Sequence, residues 1–374
     1  MIDHKKITEE YHLNINNNTK DLVNILIDDK KRQSRYFFGR NELSLQLSNL
    51  IDTDGFIDDY APSKSNWHGK PVFSLDQISR DAIIVNCVIN SRPKTALSRI
   101  KDAGFSNILS YSDLCRALPD LVPLPDFVVQ TRQDIDTHLE KWRSVFENLA
   151  DVESKAVLND VLHYRLTADH TALSKYTFRP MEQYFEDFMA FDKEVFVDAG
   201  GFDGDTTEQF CLRYPNYKKV YLFEPSLNNI ELAKKRLAHF HSINFIEKGV
   251  SNEPGILYLN SNEGSSCMVS PTGVSEINVT TIDLHIDEKV SFIKMDLEGW
   301  EINAIHGARN HIINAHPKLA IAVYHRSSDI WSIFDLVRSF RKDYKVYLRH
   351  YTESWTETVM FFLPIHTSID GESI

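Results

Sequence analysis

The chain has 374 residues, enough for about two to three domains at roughly 150 residues each. Its 41 Lys and Arg residues face 53 Asp and Glu residues, a net charge of −12 with histidine neutral. This excess of acid disfavours nucleic acid as a partner, because phosphate binding needs a basic face. Apolar residues make up 42% of the chain, which allows substantial buried cores and excludes a disordered protein.

The cysteines and the apolar runs favour a cytoplasmic protein without membrane insertion. The cysteines are far apart and form no C-x-x-C pair, so reduced thiols are expected. They are Cys87, Cys115, Cys211 and Cys267. Residues 1–13 are charged and no apolar segment follows them, which argues against a secretory signal. The longest apolar runs, 319–324 and 359–364, have strand length, far below the roughly 20 residues that span a bilayer.

Residues 1–130 are predicted to form a smaller Rossmann-like α/β domain. Strands alternate with helices along this segment, which is typical of a parallel sheet with crossover helices. The predicted strands are 35–39, 55–58, 71–75, 82–88 and 107–109, and the predicted helices are 21–29, 42–50 and 95–103. The turn after the first strand holds one glycine, Gly39, where a dinucleotide site would show G-x-G-x-x-G. A docking or oligomerising role is therefore favoured over cofactor binding.

A helical connector and a larger α/β domain follow. The apolar spacing between 134 and 191 is helical, so residues 131–190 are predicted to connect the two domains. Residues 191–374 are predicted to contain strands at 195–199, 219–223, 244–250, 279–284, 291–295, 319–324, 344–349 and 358–363, with a hairpin region around Leu257. The last two strands are joined by a segment too short for a parallel crossover, which predicts an antiparallel hairpin. The expected fold class is α/β throughout.

A glycine-rich turn follows the first strand of the larger domain, in V-F-V-D-A-G-G-F-D-G-D-T-T. Its glycines let the backbone approach a ligand, and Thr206 with Gln209 has the spacing of a capping box, which predicts a helix start. The acids of this turn, which include Asp205, would repel a pyrophosphate and suit the ammonium and sulfonium groups of S-adenosylmethionine. The candidate cofactor residues here are Asp198, Gly200, Gly201, Phe202, Asp203, Gly204, Thr206 and Thr207.

The second strand of this domain ends in an acid, in F-E-P-S. Glu224 lies 26 positions after Asp198 and has the oxygens to accept hydrogen bonds from two ribose hydroxyls, as in dinucleotide and S-adenosylmethionine sites alike. By itself it does not discriminate between those cofactors. Ser226 is predicted to cap the following helix. The cofactor-binding set is extended by Glu224, Pro225 and Ser226.

Acidic residues end a later strand, in S-F-I-K-M-D-L-E-G-W. Asp296 and Glu298 come at its carboxyl end, and His325 ends the next strand, so parallel pairing would bring the three to one edge of the sheet. We take them as candidate catalytic residues, because such a group serves as general base for a substrate hydroxyl. Alternatively, their oxygens and nitrogen could hold a divalent metal. No metal is assigned, and Asp296 and His325 are the alternative ligands.

Seven motifs occur in a fixed order between about 191 and 364: VDAGGFDGDTT, FEPSLNN, KGVSNEPG, TTIDLH, FIKMDLEGWEINAIHGA, YHRSSDIWSIF and YLRHYTESWTETVMFF. This succession resembles the FkbM family of S-adenosylmethionine-dependent methyltransferases. The family pattern of D-x-G-A-N-x-G, F-E-P and K-x-D-x-E-G is met in order and spacing. The chain departs from it at Gly201 and Phe202, where the family commonly has Ala-Asn, so contacts of an Asn side chain do not carry over.

The resemblance implies a class I methyltransferase fold, S-adenosylmethionine as cofactor, and O-methylation of a sugar or of a glycosylated or polyketide product. By position, Asp198, Gly200 and Gly204 match the methionine-side loop and Glu224 the ribose acid. Asp296 and Glu298 match the acidic strand end near the methyl group, and His325 matches a Y-H segment in one branch of the family. The strand edge near adenine is matched by Lys248, Gly249, Val250 and Ser251. Ser265 and Ser266 either reach the methionine end or belong to a mobile loop.

The sequence thus predicts an S-adenosylmethionine-dependent O-methyltransferase that acts on a sugar or glycan precursor, as in polysaccharide biosynthesis. Its expected partner is a small-molecule or saccharide substrate, and the N-terminal domain is compatible with a homo-oligomer. Two alternatives remain. A nicotinamide-dependent oxidoreductase or epimerase of nucleotide sugars is disfavoured by Asp198 in the turn. A non-catalytic ligand-binding or scaffold protein is disfavoured by the acidic cluster at the sheet edge.

Overall fold

A computed structural model describes residues 1–13, 15–28, 33–62, 65–260, 268–270 and 275–365. The chain divides into two compact units, each discontinuous in sequence. The first comprises Met1–Leu139, Leu158–Phe178 and Thr352–Thr356, and the second comprises Glu140–Val157, Arg179–Tyr351 and the segment that begins at Glu357. The predicted domain limits of 1–130, 131–190 and 191–374 stay a prediction.

The elements up to residue 117 alternate between helix and strand. The helices are α1 (His4–Glu10), α2 (Asn17–Ile27), α3 (Glu42–Ser48), α4 (Pro93–Asp102) and α5 (Tyr111–Ala117). The strands are β1 (Arg35–Phe38), β2 (Gly55–Ile57), β3 (Asn66–Trp67), β4 (Lys70–Phe73), β5 (Ile83–Asn86) and β6 (Ile108–Ser110). They form one sheet in the order β3-β4-β2-β1-β5-β6.

The sheet of the first unit is parallel except for the pairing of β3 with β4. Phe37 in β1 lies between Phe56 of β2 and Val85 of β5 in register, and all three side chains are buried. Strands covered on both faces are expected to be near-continuous apolar runs, and Y-F-F in β1 and I-I-V in β5 are such runs. The predicted Rossmann-like α/β arrangement is confirmed.

Two long helices follow, α6 (Asp126–Asn148) and α7 (Val152–Thr167). The backbone of α6 is non-helical at His138. The prediction that the helical pattern extends to about residue 191 is wrong beyond α7, since only two short 3-10 turns occur there, His170–Leu173 and Asp187–Met189. Pro180 lacks the amide hydrogen that a helix needs, and Tyr184 adopts a positive φ of 74°, which an α-helix excludes.

The second unit continues the alternation from residue 195. Its strands are β7 (Val195–Ala199), β8 (Lys219–Phe223), β9 (Ile243–Ile246), β10 (Gly249–Val250), β11 (Gly255–Asn260), β12 (Met268–Ser270), β13 (Ser275–Thr280), β14 (Phe292–Met295), β15 (Lys318–Ala322), β16 (Tyr344–His350) and β17 (Thr358–Pro364). Its helices are α8 (Asp205–Arg213), α9 (Leu227–Arg236), α10 (Ile282–His285), α11 (Glu301–Gly307), α12 (Arg309–Asn314) and α13 (Asp329–Phe340).

A seven-stranded sheet in the order β16-β17-β15-β14-β7-β8-β9 organises this unit. The five strands from β15 to β9 run parallel, whereas β17 is antiparallel to both β15 and β16. The predicted C-terminal hairpin is therefore confirmed, and the strand order is that of a class I methyltransferase. The chain leaves β7 toward β8 on one side and returns to β14 on the other, so the carboxyl ends of β7 and β14 form the switch point where open sheets bind ligands.

A smaller sheet lies beside this core, in the order β10-β13-β11-β12. The predicted strand at 279–284 is corrected here. It ends at Thr280, and the side chain of Thr281 accepts a hydrogen bond from the Leu284 amide at 2.9 Å and so begins helix α10. The loop with Ser265 and Ser266 lies outside the described residues, as does Cys267.

Three cysteines belong to the part of the chain that the structure describes. Cys87, Cys115 and Cys211 are buried and carry free thiols. Within the same residues, we find no helix whose length and apolar character would let it cross a bilayer.

Candidate functional site

The glycine-rich turn links β7 to α8 and lies against the end of β14. Gly200 has a φ of +82°, and a Cβ atom there would lie 2.0 Å from the carbonyl oxygen of Asp296. A Cβ on Gly201 would lie 2.3 Å from Cγ of Leu222. Because real Cβ contacts are never this short, both positions need glycine, and the turn is a cradle of bare backbone next to the acidic strand end.

The helix after this turn begins earlier than the capping-box spacing predicts. Gly204, with a φ of 85°, is the N-cap, no side chain caps the helix, and Asp205 is its first residue. The Asp205 carboxylate accepts the amide of Thr206 at 2.7 Å. The interpretation of Thr206 as the cap is therefore wrong, because Thr206 is already the second residue of the helix.

A buried ion pair joins β7 to β14 beneath the turn. Nζ of Lys294 donates to Oδ1 of Asp198 at 2.9 Å and to the Gly200 carbonyl at 2.7 Å, and the two side chains are 3% and 0% exposed. Thr207 donates to the other Asp198 oxygen at 2.7 Å. Burial alone would lower the pKa of Lys294, but Asp198, with Asp296 beyond it, outweighs burial and raises that pKa. Asp198 therefore holds the turn in place through its own cation.

The other acids of the turn are also partly neutralised. Asp203 pairs with Arg236 at 2.6 Å, and the same guanidinium holds Glu208 at 2.9 Å. Burial raises the pKa of Asp205. Lys294 and Arg236 thus neutralise two acids of the turn, Asp198 and Asp203. The turn therefore attracts a cationic ligand less strongly than its acidic residues alone would.

Glu224 lies directly after β8 and faces back toward the turn. Its Oε2 accepts the amide of Phe202 at 3.1 Å, and its Oε1 accepts the amide of Ser226 at 2.9 Å and Nδ2 of Asn229 at 3.2 Å. Burial raises its pKa. Phe202 has a positive φ of 44°, and 58% of the residue is exposed. Glu224 thus fixes the glycine-rich turn to the start of α9, which Ser226 caps as predicted.

The segment 248–251 lies beside these groups. The amide of Glu224 donates to the carbonyl of Ile246 at 3.1 Å, two residues before Lys248. Gly249 and Val250 form β10 and are buried. Oγ of Ser251 accepts Nε1 of Trp300 at 3.1 Å, which ties this segment to the residues after the acidic strand end.

The structure brings Asp296, Glu298 and His325 together. β14 and β15 are parallel with Met295 opposite Ile321, so both chains leave the sheet at one edge. Nε2 of His325 lies 3.4 Å from Oδ1 of Asp296 and 3.5 Å from Oε2 of Glu298. The convergence expected from parallel pairing is therefore found.

Three further polar side chains of this cluster escaped the sequence analysis. Tyr184 donates to Oδ2 of Asp296 at 2.7 Å. Gln183 donates to the Tyr184 hydroxyl at 2.9 Å and to Oε2 of Glu357 at 2.8 Å. Gln183 and Tyr184 come from an irregular segment that neither periodicity nor a motif marks, and Glu357 lies within the last of the seven motifs, where no role was predicted for it.

Two other residues of the Asp296 cluster could have been identified from the sequence. Glu301 lies three residues after Glu298 in E-G-W-E, and its Oε1 is 3.0 Å from Nδ1 of His325. Tyr324 precedes His325, and its hydroxyl donates to both oxygens of Asp296 at 3.3 Å. Adjacency to the motif residues would have identified both.

Three of the ten non-glycine residues with a positive φ in the described part of the chain lie around Asp296. Tyr184, Glu298 and Glu357 have positive φ values of 74°, 53° and 58°. Such conformations cost on the order of 1–3 kcal/mol each and cluster at functional sites. All three belong to one polar cluster, which makes it the strongest candidate for the chemistry.

The cluster also shifts protonation equilibria. Burial alone would lower the pKa of His325, but the carboxylate of Glu301, with Asp296 and Glu298 beyond it, outweighs burial and raises that pKa to about 9. Burial, aided by Asp296, raises the pKa of Glu357 to about 7. His325 is thus protonated at neutral pH. The carboxylates of the cluster are therefore the groups that accept a proton.

The sequence profile of the "Methyltransferase FkbM domain" matches residues 198–346, from the start of the glycine-rich turn to the middle of β16. This region is an FkbM methyltransferase domain, and the protein is a methyltransferase. The matched FkbM domain contains every predicted site residue, whereas Gln183, Tyr184 and Glu357 lie outside it. No curated protein sequence matches the chain.

One solved structure shows the same fold over nearly the whole chain. A crystal structure of methyltransferase FkbM from Methylobacillus flagellatus KT superimposes with a TM-score of 0.74 at 23% identity, over 96% of this chain and 98% of that one. An rRNA methylase from Streptococcus thermophilus gives a TM-score of 0.33 at 18% identity, over 48% and 92%. Fibrillarin from Aeropyrum pernix, with natively bound S-adenosyl-L-methionine, gives 0.33 at 10%, over 47% and 68%. The last two likenesses are too weak to support any argument, and the first establishes the fold.

Proposed function

We propose that this methyltransferase uses S-adenosylmethionine to methylate a hydroxyl group, with a sugar or glycan precursor as the acceptor. The observation that carries the proposal is the contact between the glycine-rich turn and the acidic strand end. The space for a Cβ on Gly200 is filled by the carbonyl oxygen of Asp296. A cofactor bound on the turn would therefore present its reactive end to the cluster of Asp296, Glu298 and His325.

The turn suits the cofactor because it offers backbone without side chains at the switch point of the sheet. We assign Gly200, Gly201 and Gly204 to the methionine end and Glu224 to the ribose hydroxyls. Residues 248–251 are assigned to the adenine side. Asp198 acts through the turn, since its carboxylate is buried against Lys294. When bound, S-adenosylmethionine supplies the methyl group that the acceptor oxygen receives.

The acidic cluster would orient the acceptor and take up its proton. Glu298 has a side chain that is 45% exposed, so it is open to a substrate hydroxyl. The carboxylates of Asp296 and Glu298 accept that proton as the oxygen becomes methylated, which general base catalysis requires. His325 holds both carboxylates in place. Fixing the acceptor against the methyl donor supplies a further share of the rate by proximity.

The choice of a sugar or glycan precursor, and of polysaccharide biosynthesis as its setting, follows from the family resemblance. The half-exposed carboxylate of Glu298 is compatible with it, because sugars are bound through hydrogen bonds to their hydroxyl groups. The cytoplasmic location and a homo-oligomeric state stay predictions.

Loss of the Glu224 carboxylate is expected to weaken cofactor binding. Hydrogen bonds to a charged group contribute about 1.5–3 kcal/mol, so Glu224→Ala should raise the Kd for S-adenosylhomocysteine by roughly tenfold to a hundredfold. Isothermal titration calorimetry of the full chain measures this directly. NADH, titrated in parallel, should not bind.

The matched control is Glu231→Ala, the same exchange on the exposed side of α9, where Glu231 pairs with Lys234. It should leave the Kd unchanged. Tight binding of NADH in place of S-adenosylhomocysteine would replace our proposal with the nucleotide-sugar oxidoreductase. Binding of neither ligand would favour a non-catalytic protein.

Asp296→Asn is expected to lower turnover by about 10²–10⁴-fold, the usual contribution of a positioned acid–base group, with the Kd for S-adenosylhomocysteine within about threefold of wild type. Transfer of labelled methyl groups to a panel of sugar acceptors provides the measurement. Asp335→Asn, at a surface ion pair with Lys141, is the control. An equal loss of turnover and cofactor affinity would make Asp296 a cofactor or folding residue instead.

A further inference from the structure

A series of hydrogen bonds between side chains ends on the Asp296 carboxylate. Nε2 of Gln183 donates to Oε2 of Glu357 at 2.8 Å and to the Tyr184 hydroxyl at 2.9 Å. That hydroxyl in turn donates to Oδ2 of Asp296 at 2.7 Å. Gln183 and Tyr184 are 5% and 4% exposed, so these bonds are shielded from exchange with water.

The chemistry of the donors fixes the direction of these bonds. The amide nitrogen of Gln183 only donates, so the Tyr184 oxygen accepts from it, and the single hydroxyl hydrogen of Tyr184 is left for Asp296. The Glu357 carboxylate accepts the second hydrogen of the same amide nitrogen and thereby holds that nitrogen toward Tyr184. Glu357 thus sets the direction of the bond to Asp296 without touching Asp296 itself.

The Tyr184 hydroxyl determines which oxygen of Asp296 is available to a ligand. A hydrogen bond from a hydroxyl to a carboxylate is strong when it is short. The bond from Tyr184 is 2.7 Å long, whereas the hydroxyl of Tyr324 lies 3.3 Å from both oxygens. Oδ2 is therefore occupied. Oδ1, which lies 3.4 Å from Nε2 of His325, is the oxygen that can face an acceptor hydroxyl.

Two of these residues have a strained backbone. Tyr184 and Glu357 have φ values of 74° and 58°, which residues other than glycine rarely adopt. Such strain is maintained by the surrounding structure and clusters at functional sites. The Tyr184 ring also faces Nζ of Lys294, which lies 5.3 Å from its centroid, and Lys294 donates to the Gly200 carbonyl. Tyr184 thus links the acidic strand end to the cation that holds the glycine-rich turn.

We propose that Tyr184, Gln183 and Glu357 are positioning residues that present Oδ1 of Asp296 to the acceptor hydroxyl. This rests on the proposed function, in which a carboxylate of the cluster accepts the acceptor's proton as the acceptor oxygen becomes methylated. A group that accepts a proton must lie within hydrogen-bond reach of it. A carboxylate that is already held at one oxygen loses less freedom when the substrate binds, which favours the reaction.

The test is steady-state kinetics of the full chain with S-adenosylmethionine and the sugar acceptors that the wild-type chain methylates. Tyr184→Phe removes only the hydroxyl and should lower kcat by about tenfold to a hundredfold, the usual effect of losing a hydrogen bond to a charged group. KM for the acceptor and the Kd for S-adenosylhomocysteine should stay within about threefold of wild type.

Gln183→Met removes the donor behind Tyr184 and should lower kcat by about twofold to tenfold, since the lost bond to Tyr184 is between neutral groups. Because Gln183 acts through Tyr184, the two losses should not add. The double variant is expected to lose no more than about twofold beyond Tyr184→Phe alone.

Tyr351→Phe is the matched control. The Tyr351 side chain is fully buried and its hydroxyl donates to Oε1 of Glu186 at 2.6 Å, so the variant removes the same kind of bond outside the Asp296 cluster. Both tyrosine variants should lower Tm by a similar amount, and only Tyr184→Phe should lower kcat.

Unchanged kcat in Tyr184→Phe would overturn the proposal, as would an equal loss of kcat in Tyr351→Phe or additive losses in the double variant. If Tyr184→Phe does not fold, unchanged kcat in Gln183→Met is the result that overturns it. Each of these results requires methyl transfer by the wild-type chain and leaves the proposed function standing. Lack of transfer by the wild-type chain would overturn the proposed function, and the role of Tyr184 with it.

Discussion

Lys294→Met is expected to lower the free energy of unfolding by about 3–5 kcal/mol, the usual cost of removing one partner from a buried ion pair. Methionine keeps the length of the side chain and its packing, so the loss comes from the Asp198 carboxylate, which stays buried without its cation. The Gly200 carbonyl also loses a donor at 2.7 Å. Urea and thermal unfolding of the full chain measure the effect.

A surface ion pair provides the control. Lys219 and Glu288 have side chains that are 37% and 38% exposed, so Lys219→Met should cost less than about 1 kcal/mol. The double variant Asp198→Asn with Lys294→Met should recover much of the lost stability, because no unpaired charge remains in the interior. A loss below about 1 kcal/mol in Lys294→Met alone would contradict this account of the pair.

Gly200→Ala is expected to destabilise the second unit by about 2–5 kcal/mol and to reduce S-adenosylhomocysteine binding by at least tenfold. The left-handed backbone costs about 1–2 kcal/mol for a residue with a Cβ, and the clash with the Asp296 carbonyl adds about 1–3 kcal/mol of overpacking. Relief of the clash would separate the turn from the acidic strand end. Calorimetry and thermal unfolding measure the two effects separately.

Gly255→Ala is the matched control, because a Cβ there meets nothing within 4 Å and its φ is not positive. We expect binding and stability close to those of the wild-type chain. Unchanged cofactor binding in Gly200→Ala would show that the bare backbone of the turn is not what the ligand needs.

The predictions from sequence that are confirmed rest on local patterns or on chain length. Strands buried on both faces are mostly apolar, so β7 and β14 stand out in the sequence, although each carries one charged residue, Asp198 and Lys294. The segment between β16 and β17 is too short to cross the sheet, so those strands had to be antiparallel. The carboxyl ends of parallel strands lie at one edge of a sheet, and this rule correctly predicted that Asp296 and His325 lie close together.

The predictions that failed did so because the backbone conformation of a few residues differs from what the pattern indicates. Thr206 does not cap α8 because the helix already begins at Asp205, with Gly204 as its N-cap. The segment beyond α7 has helical apolar spacing, but Pro180 and the positive φ of Tyr184 interrupt it.

The sequence by itself determined the class of fold, the position of the glycine-rich turn and the resemblance to FkbM methyltransferases. Only the tertiary structure decided how the charges of the site are matched. Lys294 reaches Asp198 across 96 residues and Arg236 reaches Asp203 across 33, while Gln183 joins Glu357 across 174. Pairing between strands and helices sets such contacts, and charge interactions depend on distance in space and on burial. A short stretch of sequence therefore identifies the acidic residues of the site but not the distant residues that neutralise them or hydrogen-bond to them.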